Sequence, residues 1–145
     1  MITDDLAYKL HALVYSIDNE AAKVLKASSR VNYSQFLMIL CFYQNSGQTQ
    51  KFAAHWLQLT EATVSHTVKN LAKSDLLKIS KDPQDSRVHH IYPTKSGTQI
   101  IKSVYPLLVK MMAEHYKSLG KKNVELFSSM IDELNKSINK GEKCE

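Results

Sequence analysis

The chain has 145 residues, 43% of them hydrophobic and 23% charged, which suits one globular domain and is too apolar for disorder. Its 19 Lys+Arg against 14 Asp+Glu give a net charge of +5, a balance that favours an anionic partner. No apolar run approaches the roughly 18 residues of a membrane span, and the scarcity of glycine (4) and proline (3) disfavours a many-stranded β fold.

The opening stretch "MITDDLAYKL" is acidic and then amphipathic. It lacks the basic stretch and apolar core of a secretory signal, so a cytoplasmic location is expected. In that compartment Cys41 and Cys144 are expected as free thiols, Cys41 in the core and Cys144 on a frayed tail. From Asp4 to Lys26, apolar residues recur at Leu6, Leu10, Leu13, Val14, Ile17, Ala21, Val24 and Leu25. Steps of three and four predict a long amphipathic helix. "KASSRVN" breaks the pattern, and Asn32 followed by Gln35 forms a capping-box pair that predicts a second helix. That helix, "YSQFLMILCFY", is apolar nearly all round and therefore buried; "QNSGQ" ends it.

Thr49 is suited to cap a short third helix, "QKFAAHWL", and Thr60 a fourth from Glu61 to about Ser74. "LLKIS" and "VHHIY" read as short strands, and "KDPQDSR" between them as the charged tip of a hairpin. Thr94 opens a fifth helix carrying Ile100, Ile101, Val104, Leu107, Leu108, Met111, Met112 and Leu119. Pro106 within it should kink it or mark a break. After "SLGKKN" a sixth helix is expected, with Val124, Phe127, Ile131, Leu134 and Ile138 along one side. The order predicts a mainly α fold with a small β hairpin. Its compact middle is flanked by long helices whose apolar stripes need a second copy of the chain to cover them.

On a wheel of about 100° per residue, the fourth helix puts Val64, Val68 and Leu71 on one narrow face. Ala62, His66, Lys69 and Lys73 fall opposite, with Thr63, Ser65 and Asn70 on the flanks and no acid beyond Glu61. Small polar and basic side chains of this kind suit a DNA major groove, where they approach base edges and phosphates closely. With the short helix before it, the segment has the proportions of a helix-turn-helix. Arg87, just past the hairpin tip, is placed to enter a minor groove, with Asp85 orienting the guanidinium or tying down the loop.

The run "TQKFAAHWLQLTEATVSHTVKNLAKSDLLKISKDPQDSRVHHIYPTKSG" resembles the winged helix-turn-helix of the MarR family (multiple antibiotic resistance regulators). Its most specific feature is the spacing from Asp85-x-Arg87 to Thr94-x-x-Gly97, downstream of "TVSHTVKNL". The resemblance implies a homodimeric transcription factor, more often a repressor, on a pseudo-palindromic operator in double-stranded DNA. It implies dimerisation helices at 1–30 and 98–145 around a DNA-binding lobe at 31–97, as one intertwined domain. Ser65, His66 and Lys69 correspond to the recognition helix and Arg87 to the wing arginine. With the residues beside them, the candidate DNA-facing set is Thr60, Ala62, Thr63, Ser65, His66, Lys69, Asn70, Lys73, Asp85 and Arg87.

The resemblance further implies a small aromatic or phenolic effector between the dimerisation helices and the lobe, with Tyr8, His11, Tyr15, Phe36 and Tyr43 as candidate lining. Departures from the family pattern are Gln58 and Asp75 where glycine is common at helix ends, Ile79 in place of a basic residue, Ser86 in place of arginine, and Pro93 in place of leucine. Losing basic groups near the wing bears on affinity more than on fold. An alternative reading is a winged-helix protein-interaction module without specific DNA binding. No enzyme is expected, since no nucleophile–base pair can be named, and no cofactor. No metal is expected either: adjacent His89 and His90 point to opposite strand faces, and His11, His55, His66 and His115 lack zinc spacing.

Overall fold

The structure, a computed structural model, describes residues 5–140. The elements are α1 (Leu6–Ser28), α2 (Tyr33–Gln44), α3 (Gln50–Leu57), α4 (Glu61–Lys73), β1 (Leu77–Lys81), β2 (His89–Pro93), α5 (Lys95–Tyr116) and α6 (Lys121–Lys140). The chain forms two compact units, one ending at Leu108 and the other beginning at Val109. The expected helix start at Asp4 and the tail with Cys144 lie outside the described residues.

Local signals set most boundaries. Asp5 accepts a hydrogen bond from the Ala7 N–H and caps α1. At α2 the capping box is complete: the Asn32 side chain accepts from the Gln35 N–H, and the Gln35 side chain accepts from the Asn32 N–H. Thr49 and Thr60 cap α3 and α4 in the same way, through the N–H groups of Phe52 and Thr63. Asn32→Ala removes one half of the reciprocal pair and is expected to cost about 1 kcal/mol of stability. Urea denaturation should show this as a lower midpoint with an unchanged slope.

The core of the first unit is built around α2. Phe36, Met38, Ile39, Cys41 and Phe42 are all buried, which is why that helix is apolar on every side. Leu25 packs in from α1, Ala53 and Ala54 from α3, and Val64, Val68 and Leu71 from α4. Leu76, Leu77 and Ile91 cover it from the hairpin, and Ile101 and Val104 from α5. Cys41 is fully buried, and desolvation pushes its thiol up to about 11. A thiol held neutral in this way is a poor nucleophile, in keeping with a core role.

The hairpin pairs Leu77 with Pro93, Ile79 with Ile91 and Lys81 with His89. Each strand is set one residue later than "LLKIS" and "VHHIY" imply. The cause lies in the flanking turns: the Leu76 N–H closes the end of α4 by donating to the Leu71 carbonyl, and the Val88 N–H donates to the Asp85 carbonyl within the wing turn. The other edge of β2 is paired too. Gly47 N–H donates to the Ile91 carbonyl, Ile91 N–H donates to the Gln48 carbonyl, and Thr49 bridges to His90.

Gln58 and Asp75 both adopt φ of 55°, the left-handed conformation that glycine commonly supplies at helix ends. Gln58 offsets part of the strain by donating from its side chain to the His55 carbonyl. Pro106 does not end α5, which runs unbroken from Lys95 to Tyr116. The carbonyl left without an N–H partner belongs to Lys102, an exposed residue, so water can satisfy it.

In the second unit α6 begins at Lys121, three residues before Val124, because Gly120 at φ 76° already makes the break. By itself that unit leaves Leu126, Met130, Ile131, Leu134 and Ile138 exposed. In the first unit α1 likewise exposes Leu6, Leu13, Val14 and Tyr15.

Candidate nucleic-acid interface

The wheel drawn from the α4 sequence is realised in three dimensions. Val64, Val68 and Leu71 are buried, which turns Ala62, Thr63, His66, Lys69, Asn70 and Lys73 outward. Ser65 is half-buried on the flank. The inner face is thus fixed by packing, and the outer residues take no part in the core.

Two pairs on that surface are organised before any partner arrives. Thr60 Oγ1 lies 2.9 Å from Thr63 Oγ1 while also accepting the Thr63 N–H, so its hydroxyl is engaged in capping. One turn on, Asn70 Nδ2 lies 3.0 Å from His66 Nε2. With the amide donating, Nε2 of His66 accepts and a neutral ring carries its proton on Nδ1. Among the described residues no ion pair or hydrogen bond engages the Lys69, Lys73 or Arg87 side chain.

The wing turn is held by carboxylates. Asp82 Oδ1 accepts from the N–H groups of Gln84 and Asp85, and Asp85 Oδ1 accepts from the N–H of Arg87. Asp85 therefore ties down the loop by way of the Arg87 backbone and leaves the guanidinium unpaired. Asp82 also meets His90 at 2.8 Å.

Between the start of α3, the start of α4 and the wing lies a groove of about 290 Å³ lined by Thr49, Gln50, Lys51, Glu61, Arg87, Val88 and His89. It brings Arg87 together with Lys51 and His89, two cationic or potentially cationic groups that periodicity does not single out. The available signal is Lys51 in the first turn after a capping threonine, on a helix that belongs to the helix-turn-helix. For His89 the sequence raises only the question of a metal ligand. No group of three or more His, Cys, Asp or Glu able to hold a metal occurs among the described residues.

The candidate effector lining divides. Phe36 is a core residue with 1% exposure, whereas Tyr8, His11, Tyr15 and Tyr43 are exposed. No described helix is long and apolar enough to cross a membrane.

Residues 31–89 match the MarR family model. No curated protein matches the chain. Among solved structures, the S. aureus MepR–DNA complex is similar with a TM-score of 0.80 at 22% identity, over 92% of this chain and 96% of that one. The repressor CouR bound to a 23-mer DNA duplex superposes with a TM-score of 0.83 at 19% identity, over 92% and 94%. PcaV from Streptomyces coelicolor, in complex with its natural ligand, gives 0.74 at 18% identity over 95% and 99%. At these identities the likeness is one of fold.

Proposed function

We propose that the chain, whose residues 31–89 match the MarR family model, is a winged helix-turn-helix transcriptional regulator of that family and acts as a homodimeric repressor on a pseudo-palindromic operator. The observation that carries this reading is the outer face of α4, basic and polar, free of ion pairs, and flanked by an unpaired wing arginine. On this reading α4 lies in the major groove. Ser65 and His66 meet base edges, Thr63 and Asn70 support them, and Lys69 and Lys73 neutralise phosphates. Ala62 gives close approach, Thr60 fixes the start of the helix, and Asp85 shapes the turn from which Arg87 enters the minor groove. Lys51, at the rim of the same groove as Arg87, joins them as a phosphate contact.

Dimerisation is supported by exposed apolar side chains that a soluble monomer does not ordinarily display. Leu6 is 67% exposed on α1, and Met130 and Ile138 are 58% and 60% exposed on α6. A second copy is the simplest cover for both, with 1–30 and 98–145 as the dimerising segments and 31–97 as the DNA-binding lobe. Relief of repression by a small aromatic effector in the cytoplasm completes the proposal, supported by the complex of the similar PcaV with its natural ligand.

Selection from a random duplex library tests it. The expected consensus has two inverted half-sites with centres about one helical turn, 10–10.5 bp, apart, because a two-fold dimer presents two α4 helices in symmetry. Recovery of sequences with no shared motif would instead support a winged helix that binds another protein.

A further inference from the structure

His90 stands on β2 with its ring bonded on both sides. Nδ1 lies 2.8 Å from the Gly47 carbonyl oxygen, and Nε2 lies 2.8 Å from Asp82 Oδ2. A carbonyl and a carboxylate can only accept, so the ring satisfies both only by donating from both nitrogens, as an imidazolium. Neutral histidine has one N–H and must set a lone pair against one of these oxygens.

The two partners are not incidental. Asp82 organises the wing turn: its Oδ1 accepts from Gln84 and Asp85, and its N–H donates to the Val88 carbonyl. Gly47, at φ 83°, belongs to the turn that leads into α3. One side chain thus joins the α2–α3 turn, β2 and the turn that carries Arg87.

We infer that His90 is a positioning residue for the wing: doubly protonated, it clasps the 82–88 turn to the 45–49 turn and so holds Arg87 in place beside α4. This role rests on the reading of Arg87 as a DNA contact. It makes DNA binding depend on a proton held some distance from the DNA itself.

The electrostatics agree with the geometry. The Asp82 hydrogen bond first, and the Gly47 carbonyl second, hold the imidazolium above its ordinary 6.5. Asp82 is held below its ordinary 3.8 by His90 and then by the turn amides. The His90 contribution is therefore complete below 6.5 and is lost as pH rises through the raised folded value. The Asp82 contribution is complete above 3.8 and is lost only as pH falls through its lowered value. The clasp opens on the alkaline side.

Among neighbouring titratable groups, β1 carries Lys78 and Lys81, and β2 carries His89 and Tyr92. The turn adds Asp85 and Arg87, α3 carries Lys51 and His55, and α2 carries Tyr33, Cys41 and Tyr43, while residues 45–49 carry none. Asp82 is the source of the coulombic effect on His90.

Two measurements together test the clasp and its coupling to DNA. Long-range 1H–15N spectra of the imidazoles in the free full-length protein read His90 without any DNA. The expected result is a ring protonated on both nitrogens at neutral pH, with a titration midpoint that drops in Asp82→Asn. DNA affinity is then followed with a labelled duplex recovered from the random library, for the native protein, His90→Gln and Arg87→Ala. Native affinity should weaken at least about threefold between about pH 6.5 and about pH 8.5, bounded near tenfold per pH unit for each wing by one linked proton. His90→Gln should remove that slope.

A ring with one N–H at neutral pH, or a midpoint indifferent to Asp82→Asn, overturns the clasp. A clasp present in the spectra with pH-independent DNA affinity overturns the coupling. No DNA binding by any form, with the doubly protonated ring observed, supports the clasp and refutes the DNA reading beneath it.

Discussion

Gly97→Ala is expected to destabilise the protein by roughly 3 kcal/mol, near the upper end for forced overpacking. Gly97 is buried at the start of α5, and a Cβ there would collide with the Leu76 carbonyl oxygen, with the carbonyl carbon at 3.1 Å. Neither side can easily yield. The Leu76 carbonyl accepts the N–H of Thr94, and Leu76 itself is bonded back to Leu71. Thr94 Oγ1 donates to the Asp75 carbonyl and accepts the N–H of Gly97. Moving α5 away breaks this set of bonds, and moving Leu76 lifts the base of the wing out of the core. At roughly 2–4 °C per kcal/mol for a chain of this size, the thermal midpoint should fall by roughly 10 °C. A midpoint within a degree or two of the native value would show that the close approach is not as described.

Arg87→Ala should weaken binding to the selected operator by about 1–3 kcal/mol while leaving the thermal midpoint unchanged. The side chain is exposed and, among the described residues, unpaired, so its removal costs the fold nothing. The substitution takes away a cation beside the groove formed by α3, α4 and the wing. If the guanidinium neutralises phosphate, the slope of log K against log salt becomes shallower by about 0.9 for each phosphate no longer neutralised. If it reads the narrow minor groove, the penalty should also depend on the base pairs under the wing. Equal affinity and equal slope for native and substituted protein would remove Arg87 from the interface.

The contrast between these two substitutions shows where sequence carries structural information. Thr94-x-x-Gly97 is visible as a spacing, but its reason is a backbone contact with Leu76, which no one-dimensional pattern displays. Caps at Asn32, Thr49 and Thr60 are legible because each bond spans three residues. The outward face of α4 is legible because burial of Val64, Val68 and Leu71 follows helical period. Strand ends differ from the sequence pattern by one residue, since Leu76 is claimed by the end of α4 before β1 begins. Pro106 suggests a disturbance of α5, yet the carbonyl it leaves free is on the exposed side.

The site is less legible than the fold. Lys51, Arg87 and His89 come from elements distant in sequence and meet only through the docking of the hairpin against α3 and α4. As neighbours on a strand, His89 and His90 are expected to point to opposite faces, and their sequence context suggests nothing further. The partner that gives His90 its role, Gly47, lies 43 residues away. The left-handed backbone at Gln58 and Asp75 follows from their places at helix ends, where the chain must turn whatever residue stands there.

If α4 and the wing together grip DNA, fluorescence anisotropy of the selected palindrome and of a scrambled duplex, each at several salt concentrations, tests it most directly. Lys51, Lys69, Lys73 and Arg87 provide four cations per protomer and eight per dimer, so at about 0.9 per neutralised phosphate the slope of log K against log salt should reach about −7 at most. The expected result is a steep slope for both duplexes and tighter binding to the palindrome at every salt concentration. Equal, weak affinity for both with a slope near zero would contradict it.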